Sequence, residues 1–122
     1  MSLIIPESSR VPKVGYYAHY KHNPEGKLGN YMYYVPGIGF HTEEPGVLFV
    51  NYLPLYPEAS VYQATVKLGI VCFDDRPLEM WMGSVTVAGT VRPRFEFVTD
   101  EAKIAKLKVL HLELYDHIGR SH

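Results

Sequence analysis

The chain has 122 residues, 47% hydrophobic and 20% charged, a composition that favours one globular domain over a disordered segment. Its formal charge of -1 supplies none of the basic excess that drives binding to nucleic-acid phosphates. A single cysteine, Cys72, excludes an intramolecular disulfide and favours a reducing, cytoplasmic location, and no apolar run approaches the about 18 residues of a membrane span.

Ten glycines and nine prolines punctuate the chain and divide most of it into short pieces rich in β-branched and aromatic residues, which is typical of strands. Turns are predicted at residues 23 to 26 and 44 to 46, and residues 53 to 59 are predicted to form a loop or an edge because they contain two prolines. The predicted strands cover residues 14 to 20, 31 to 35 with a continuation at 38 to 41 beyond a kink, 47 to 52 as a central strand, 61 to 66, 70 to 73, 85 to 91 as a hairpin about Ala88 and Gly89, and 94 to 97.

The pattern changes at residue 99, where a capping residue and acids in the first turn predict a helix that ends at Gly119. The alternative is a strand, because residues 110 to 114 alternate between apolar and polar. The helical reading puts five residues at spacings of three and four on one face: Ile104, Leu107, His111, Leu114 and Ile118.

Short strands followed by one terminal helix predict a mainly β fold, a small antiparallel barrel or roll with one C-terminal α-helix. We expect residues 1 to 13 to be an N-terminal extension and residues 14 to 98 to be the barrel. Residues 99 to 119 would form the helix that covers an open end or edge of the barrel.

The stretch DDRPLEMWMG at residues 74 to 83 contains three acids, an arginine and the single tryptophan. It is predicted to be a turn followed by a barrel strand. Alternation would place Leu78, Met80 and Met82 toward the core. Trp81 would share the second face with Glu79, either under the terminal helix or exposed.

Five blocks of sequence, in order, resemble the motifs of a bacterial family catalogued as domain of unknown function 1653. The resemblance implies a small barrel of the Src-homology-3 type and no reaction, and it leaves the helical tail as an addition. The blocks are residues 15 to 21 (GYYAHYK), 41 to 43 (HTE), 50 to 56 (VNYLPLY), 76 to 81 (RPLEMW, where the family has phenylalanine last) and 91 to 95 (VRPRF).

Aromatic residues give the leading functional hypothesis, since nine of the ten tyrosines lie between residues 16 and 62. An aromatic belt can stack on a small molecule or an extended peptide, although tyrosines also fill cores and half-buried sheet surfaces. The predicted ligand-binding residues of this binding module are Tyr17, Tyr20, Tyr52, Arg76, Glu79, Trp81 and Arg94.

Arg76 precedes a proline, which favours an extended backbone and a fixed position for the planar guanidinium. Such a group grips carboxylates or phosphates. The alternative is an internal clamp that ties strands together through backbone carbonyls or Glu79. The same two interpretations apply to Arg94.

Two other functions remain open. A small enzyme would use acid and base groups among His19, Asp75 and Glu79, although no catalytic motif assigns them roles. A self-associating domain would dimerise through the C-terminal helix. We predict no cofactor and no metal site, because His19, His22 and His41 have no cysteine partner and no phosphate-binding glycine pattern is present.

Overall fold

The computed structural model describes residues 3–119, in which antiparallel strands predominate. The strands are β1 (Gly15–His19), β2 (Met32–Phe40), β3 (Leu48–Pro54), β4 (Asp74–Pro77), β5 (Ser84–Val87), β6 (Thr90–Pro93) and β7 (Phe95–Phe97). The helices are α1 (Ser60–Leu68), the single turn α2 (Leu78–Trp81) and α3 (Glu101–Tyr115), with a short 3₁₀ turn at Ser8–Arg10. Within residues 3–119 no helix is long and apolar enough to cross a membrane.

Five strands form one antiparallel sheet in the order β4-β3-β2-β1-β7, and β5 and β6 form a separate ribbon. The ribbon turns at Ala88 (φ 51°) and Gly89 (φ 82°), the left-handed pair that matches the twist of a hairpin. The predicted hairpin and the mainly antiparallel fold with its C-terminal helix are therefore confirmed. The predicted barrel is not found, because the sheet of the described chain is open, with β4 and β7 at its edges.

Two predicted strands, at residues 61 to 66 and 70 to 73, are wrong. Without them the sheet has fewer strands with which to close into a barrel. The first lies in α1 and the second has no regular structure. Gly69 ends α1 in the left-handed conformation (φ 70°), and its amide donates to the Thr65 carbonyl at 2.9 Å. Thr65 is fully buried, and Tyr62 packs edge-on against Tyr115 of α3. Tertiary packing of this helix outweighs the weak strand preference of its β-branched residues.

One face of the sheet, the helix face, is covered by α3. The Asp100 side chain caps α3 by accepting from the Lys103 amide, and the apolar face then packs on the sheet. Leu107 is fully buried, and His111 hydrogen-bonds the Tyr16 hydroxyl at 3.1 Å. The helix is confirmed over the strand alternative, and it covers a sheet face rather than a barrel end. Its partners on the sheet are Tyr16, Ala18, Met32, Tyr34 and Leu53.

The opposite face, the aromatic face, is covered in part by α2. The expected core strand of residues 78 to 82 is wrong, since Met80 and Met82 are 50% and 47% exposed whereas Trp81 is 2% exposed. The Met82 amide donates to the Leu78 carbonyl at 3.0 Å and closes a helical turn. That turn brings Leu78 and Trp81, three residues apart, to the same side. The residues of the aromatic face are Tyr17, Tyr33, Val35, Val50, Tyr52 and Phe95, with Trp81 packed on them.

Two prolines mark departures from regular pairing. The predicted kink at Pro36 is confirmed as a register shift between Tyr34 and Gly37. Pro54 lies in β3 opposite Tyr33 instead of in a loop. A proline is tolerated there because it is the last residue of the strand, and the ladder continues with the Leu55 amide, which donates to Met32.

Candidate functional site

The polar residues of interest lie at one end of the aromatic face. Antiparallel pairing brings the end of β1 (His19) to the same end of the sheet as the starts of β4 (Asp74) and β7 (Phe95). Loops from both halves of the chain therefore meet there. We call the residues His19, Tyr52, Arg76, Arg94 and Phe95 the arginine–aromatic cluster.

Two arginines belong to this cluster, one that lies beside the Phe95 ring and one that precedes Phe95 in the chain. Arg76 pairs with Val50 across β4 and β3, and its guanidinium carbon lies 5.3 Å from the centre of the Phe95 ring. The guanidinium also interacts with the Tyr52 hydroxyl, where it opposes the rise in the pKa of Tyr52 that burial causes. Arg94 directly precedes Phe95, and its backbone is fixed by a 2.9 Å bond from the Tyr20 amide and a 3.0 Å bond to the Gly83 carbonyl.

In the described part of the chain, neither arginine is neutralised by an acid at ion-pair distance. Among residues 3–119 the ion pair that forms is Lys27–Glu58, at 3.7 Å between exposed side chains. The Nε atoms of Arg76 and Arg94 are both buried, and neither has a hydrogen-bond partner in the described chain. A buried donor without a partner costs free energy, so such groups call for an explanation. In the described part of the chain, Glu79, one of the partners offered by the clamp interpretation, is not at ion-pair distance from Arg76.

His19 is close enough to both arginines for their charges to act on its imidazole, and it is neutral at physiological pH. Burial, together with the nearby positive charges of Arg76, Lys21 and Arg94, lowers the pKa of its imidazole to about 4. The Lys21 amide donates to Nδ1 at 3.2 Å, so the neutral ring carries its proton on Nε2. His19 can therefore donate a hydrogen bond without adding a charge to the cluster.

The floor beneath the cluster is aromatic and rigid. The rings of Trp81 and Phe95 stack at 3.7 Å between centres and 5° between planes, and Tyr17 and Tyr52 pack around Trp81 at 5.4 Å and 5.0 Å. The Tyr17 hydroxyl donates to the Lys13 carbonyl at 2.8 Å. Tyr17, Tyr52 and Trp81 therefore form a buried support and not an exposed stacking surface.

Polar groups of β2, β4 and the loop after β3 form the wall next to Arg76. The hydroxyls of Tyr33 and Tyr56 lie 2.8 Å apart, and burial raises the pKa of both phenols, so both stay protonated at neutral pH. Asp74 is half-buried, which raises the pKa of its carboxyl, and Arg76 opposes that rise. Asp74 lies opposite Tyr52, on the same side of the sheet as Arg76.

The structure brings some of the predicted binding residues together and separates others. Tyr52, Arg76 and Arg94 belong to the cluster, and the ring of Tyr20 lies 4.4 Å from that of His19. Glu79 is exposed on α2. The predicted group of acid and base residues does not converge, because Asp75 is held by the Asn51 amide on the side of β4 opposite to Arg76.

Three residues of this region were missing from the predicted site: Phe95, Tyr56 and Asp74. Alternation of polar and aromatic residues at 94 to 97 was the available signal for Phe95. Asp74 and Tyr56 depend on the register of β4 against β3, which a single sequence does not reveal. Within the described part of the chain, no three His, Cys, Asp or Glu side chains are grouped as a metal site would require.

Comparison with known proteins gives one match. The model of the family described as "Protein of unknown function (DUF1653)" matches residues 15–97, which include β1 to β7 and every residue of the arginine–aromatic cluster. The helix α3 lies outside the matched segment. Searches of curated proteins and of solved structures found no match.

Proposed function

The chain belongs to this DUF1653 family of proteins of unknown function, and we propose that it is a small binding domain that holds an oxyanion between Arg76 and Arg94. The oxyanion is a carboxylate or a phosphate on a small molecule. The observation that supports the proposal is the pair of half-buried arginines whose Nε atoms have no partner in the described chain.

The chemistry of the cluster suits such a ligand. A guanidinium binds planar oxyanions through two parallel hydrogen bonds, and partial burial strengthens each of them. Neutral His19 can add a third donor from Nε2. The stacked Trp81 and Phe95 rings hold the surroundings rigid, so little order has to be imposed when the ligand binds.

An enzyme is the weaker proposal. At pH 7 an imidazole with a pKa of about 4 is a poor general acid, because almost none of it is protonated. The carboxylate nearest to Arg76 on the aromatic face is Asp74, and neither Asp75 nor Glu79 joins it there. We therefore place binding ahead of catalysis.

Fluorescence of Trp81 provides the test, since it is the single tryptophan and lies against Phe95 of the cluster. Titration with sodium phosphate and with sodium acetate should change the emission saturably at constant ionic strength. Arg76→Gln and Arg94→Gln should each weaken binding by about tenfold or more, because each removes a charge-assisted hydrogen bond worth about 1.5–3 kcal/mol.

The matched control is Arg92→Gln, which removes an exposed arginine of β6 and should leave binding unchanged. Stability separates a ligand-binding arginine from a structural clamp. Urea unfolding of Arg76→Gln should match the wild type within about 1 kcal/mol, because the variant loses the contacts of the guanidinium with Tyr52 and Phe95 but also removes a buried Nε donor that has no partner in the described chain. Equal anion affinity in Arg76→Gln, Arg94→Gln and wild type would refute the proposal.

A further inference from the structure

A second feature lies beside the arginine–aromatic cluster, at the same end of the sheet. It is a groove of about 640 Å³ between the loop before β2, the loop after β3 and one side of α3. That volume falls in the range of sites for small molecules. We call it the apolar groove, and its main apolar lining residues are Leu28, Tyr31, Leu55, Tyr56, Val109 and Leu110.

The walls of the apolar groove are built before any ligand arrives. Asn30 ties its loop together through bonds to Asn23 and Lys27. Gly29 packs so closely on the chain just after β3 that a Cβ there would collide with the Leu55 carbonyl oxygen. The groove is therefore a fixed part of the fold.

Two tyrosines connect the apolar groove to the arginine–aromatic cluster. Tyr31 lines the groove and stacks on His19 at 5.6 Å with 27° between the ring planes. Tyr56 also lines the groove, and its hydroxyl meets that of Tyr33, whose ring lies 5.8 Å from Phe95. The rings of Tyr31 and Tyr56 are 6.1 Å apart, so one continuous aromatic path joins the two features.

The apolar groove and the arginine–aromatic cluster differ in net charge. The charged side chains that line the groove are Lys27 and Lys106 against Glu58 and Glu113, so their charges cancel. The groove therefore offers apolar contact and no attraction of its own for an anion. Attraction for an anion comes from Arg76 and Arg94, whose Nε atoms have no partner in the described chain.

We infer that the ligand is amphipathic, with an oxyanion head at Arg76 and Arg94 and an apolar chain that crosses Tyr31 and Tyr56 into the apolar groove. A medium-chain carboxylate has this chemistry. This inference rests on the proposed function, because it assigns the head of the ligand to the same two arginines. It adds a measure of specificity, namely a preference for longer apolar chains.

The test is a series of sodium salts, acetate, butanoate, hexanoate and octanoate, titrated below their micelle concentrations and followed by NMR of the Trp81 indole. Octanoate should bind at least about twentyfold more tightly than acetate, since full burial of a methylene gives about fourfold. Val109→Gln changes an exposed residue of the groove and should weaken octanoate by about fivefold without affecting acetate. Leu112→Gln, at an equally exposed position of α3 that does not line the groove, is the matched control.

The outcomes separate the two proposals. If acetate and octanoate bind equally and Arg76→Gln abolishes both, the groove inference is wrong and the oxyanion site stands. A preference for octanoate that is undiminished in Val109→Gln overturns the placement of the chain in the groove. Octanoate binding that is unchanged in Arg76→Gln and Arg94→Gln overturns the oxyanion site, and with it the inference.

Discussion

Protonation of His19 should destabilise the protein in a defined range of pH. Burial and the nearby positive charges of Arg76, Lys21 and Arg94 lower the pKa of its imidazole from 6.5 to about 4 in the folded state. The unfolded chain therefore binds this proton more readily than the folded chain does. The contribution is fully present above pH 6.5 and is lost as the pH falls from about 6.5 to about 4.

The magnitude follows from the size of the pKa shift. A full shift from 6.5 to about 4 would remove about 3 kcal/mol of the free energy of unfolding by pH 4, and about 2 kcal/mol of that by pH 5. His19 is partly exposed, so water screens the effect, and we expect a loss of about 1 kcal/mol between pH 7 and pH 5.

The assay is urea unfolding at pH 7 and pH 5 for wild type and His19→Gln, which retains an acceptor for the Lys21 amide. Between pH 7 and pH 5 the free energy of unfolding of wild type should fall by about 1 kcal/mol more than that of His19→Gln. Burial also lowers the pKa of His111, but that contribution is present in both proteins and cancels in the comparison. His117→Gln, an exposed control, should behave like wild type. Equal losses in wild type and His19→Gln would show that the pKa of His19 is not depressed in the folded chain.

Two further predictions concern packing. Gly29→Ala should lower the free energy of unfolding by about 2–3 kcal/mol because its Cβ would strike the Leu55 carbonyl. Gly37→Ala is the control and should cost far less, because no atom lies within 4 Å of the added carbon. Similar urea midpoints for the two variants would contradict the close contact. Trp81→Ala should lower the free energy of unfolding by about 3–5 kcal/mol because the Trp81 side chain is buried. Met80→Ala should lower it by about 0.5 kcal/mol or less because the Met80 side chain is half-exposed. A lower melting temperature for Met80→Ala than for Trp81→Ala would restore the strand interpretation of residues 78 to 82.

Turns, most strands and the terminal helix were predictable because their signals are local. Ala88 and Gly89 favour a left-handed hairpin turn, and Asp100 caps α3 through its own side chain. The face of α3 that packs on the sheet contains Leu107 at the predicted spacing. Each of these features depends on residues that are only a few positions apart, so the local sequence is enough to predict it.

The errors occur where packing decides between local alternatives. Val61 and Tyr62 prefer strands by less than about 1 kcal/mol, which the contact of Tyr62 with α3 easily outweighs. Leu78 to Trp81 form one helical turn because Trp81 fills the space between Tyr17 and Tyr52. Neither the contact of Tyr62 with α3 nor the space between Tyr17 and Tyr52 exists until the chain has folded.

The amino-acid sequence by itself determined the antiparallel β character, the capped terminal helix and the presence of arginines and tyrosines suited to an anionic ligand. Tertiary structure decided that the sheet stays open and that Arg76 and Arg94 both lie near His19. The physical reason is strand register, since β1, β4 and β7 come from distant parts of the chain and a shift of one residue would turn each side chain to the other face.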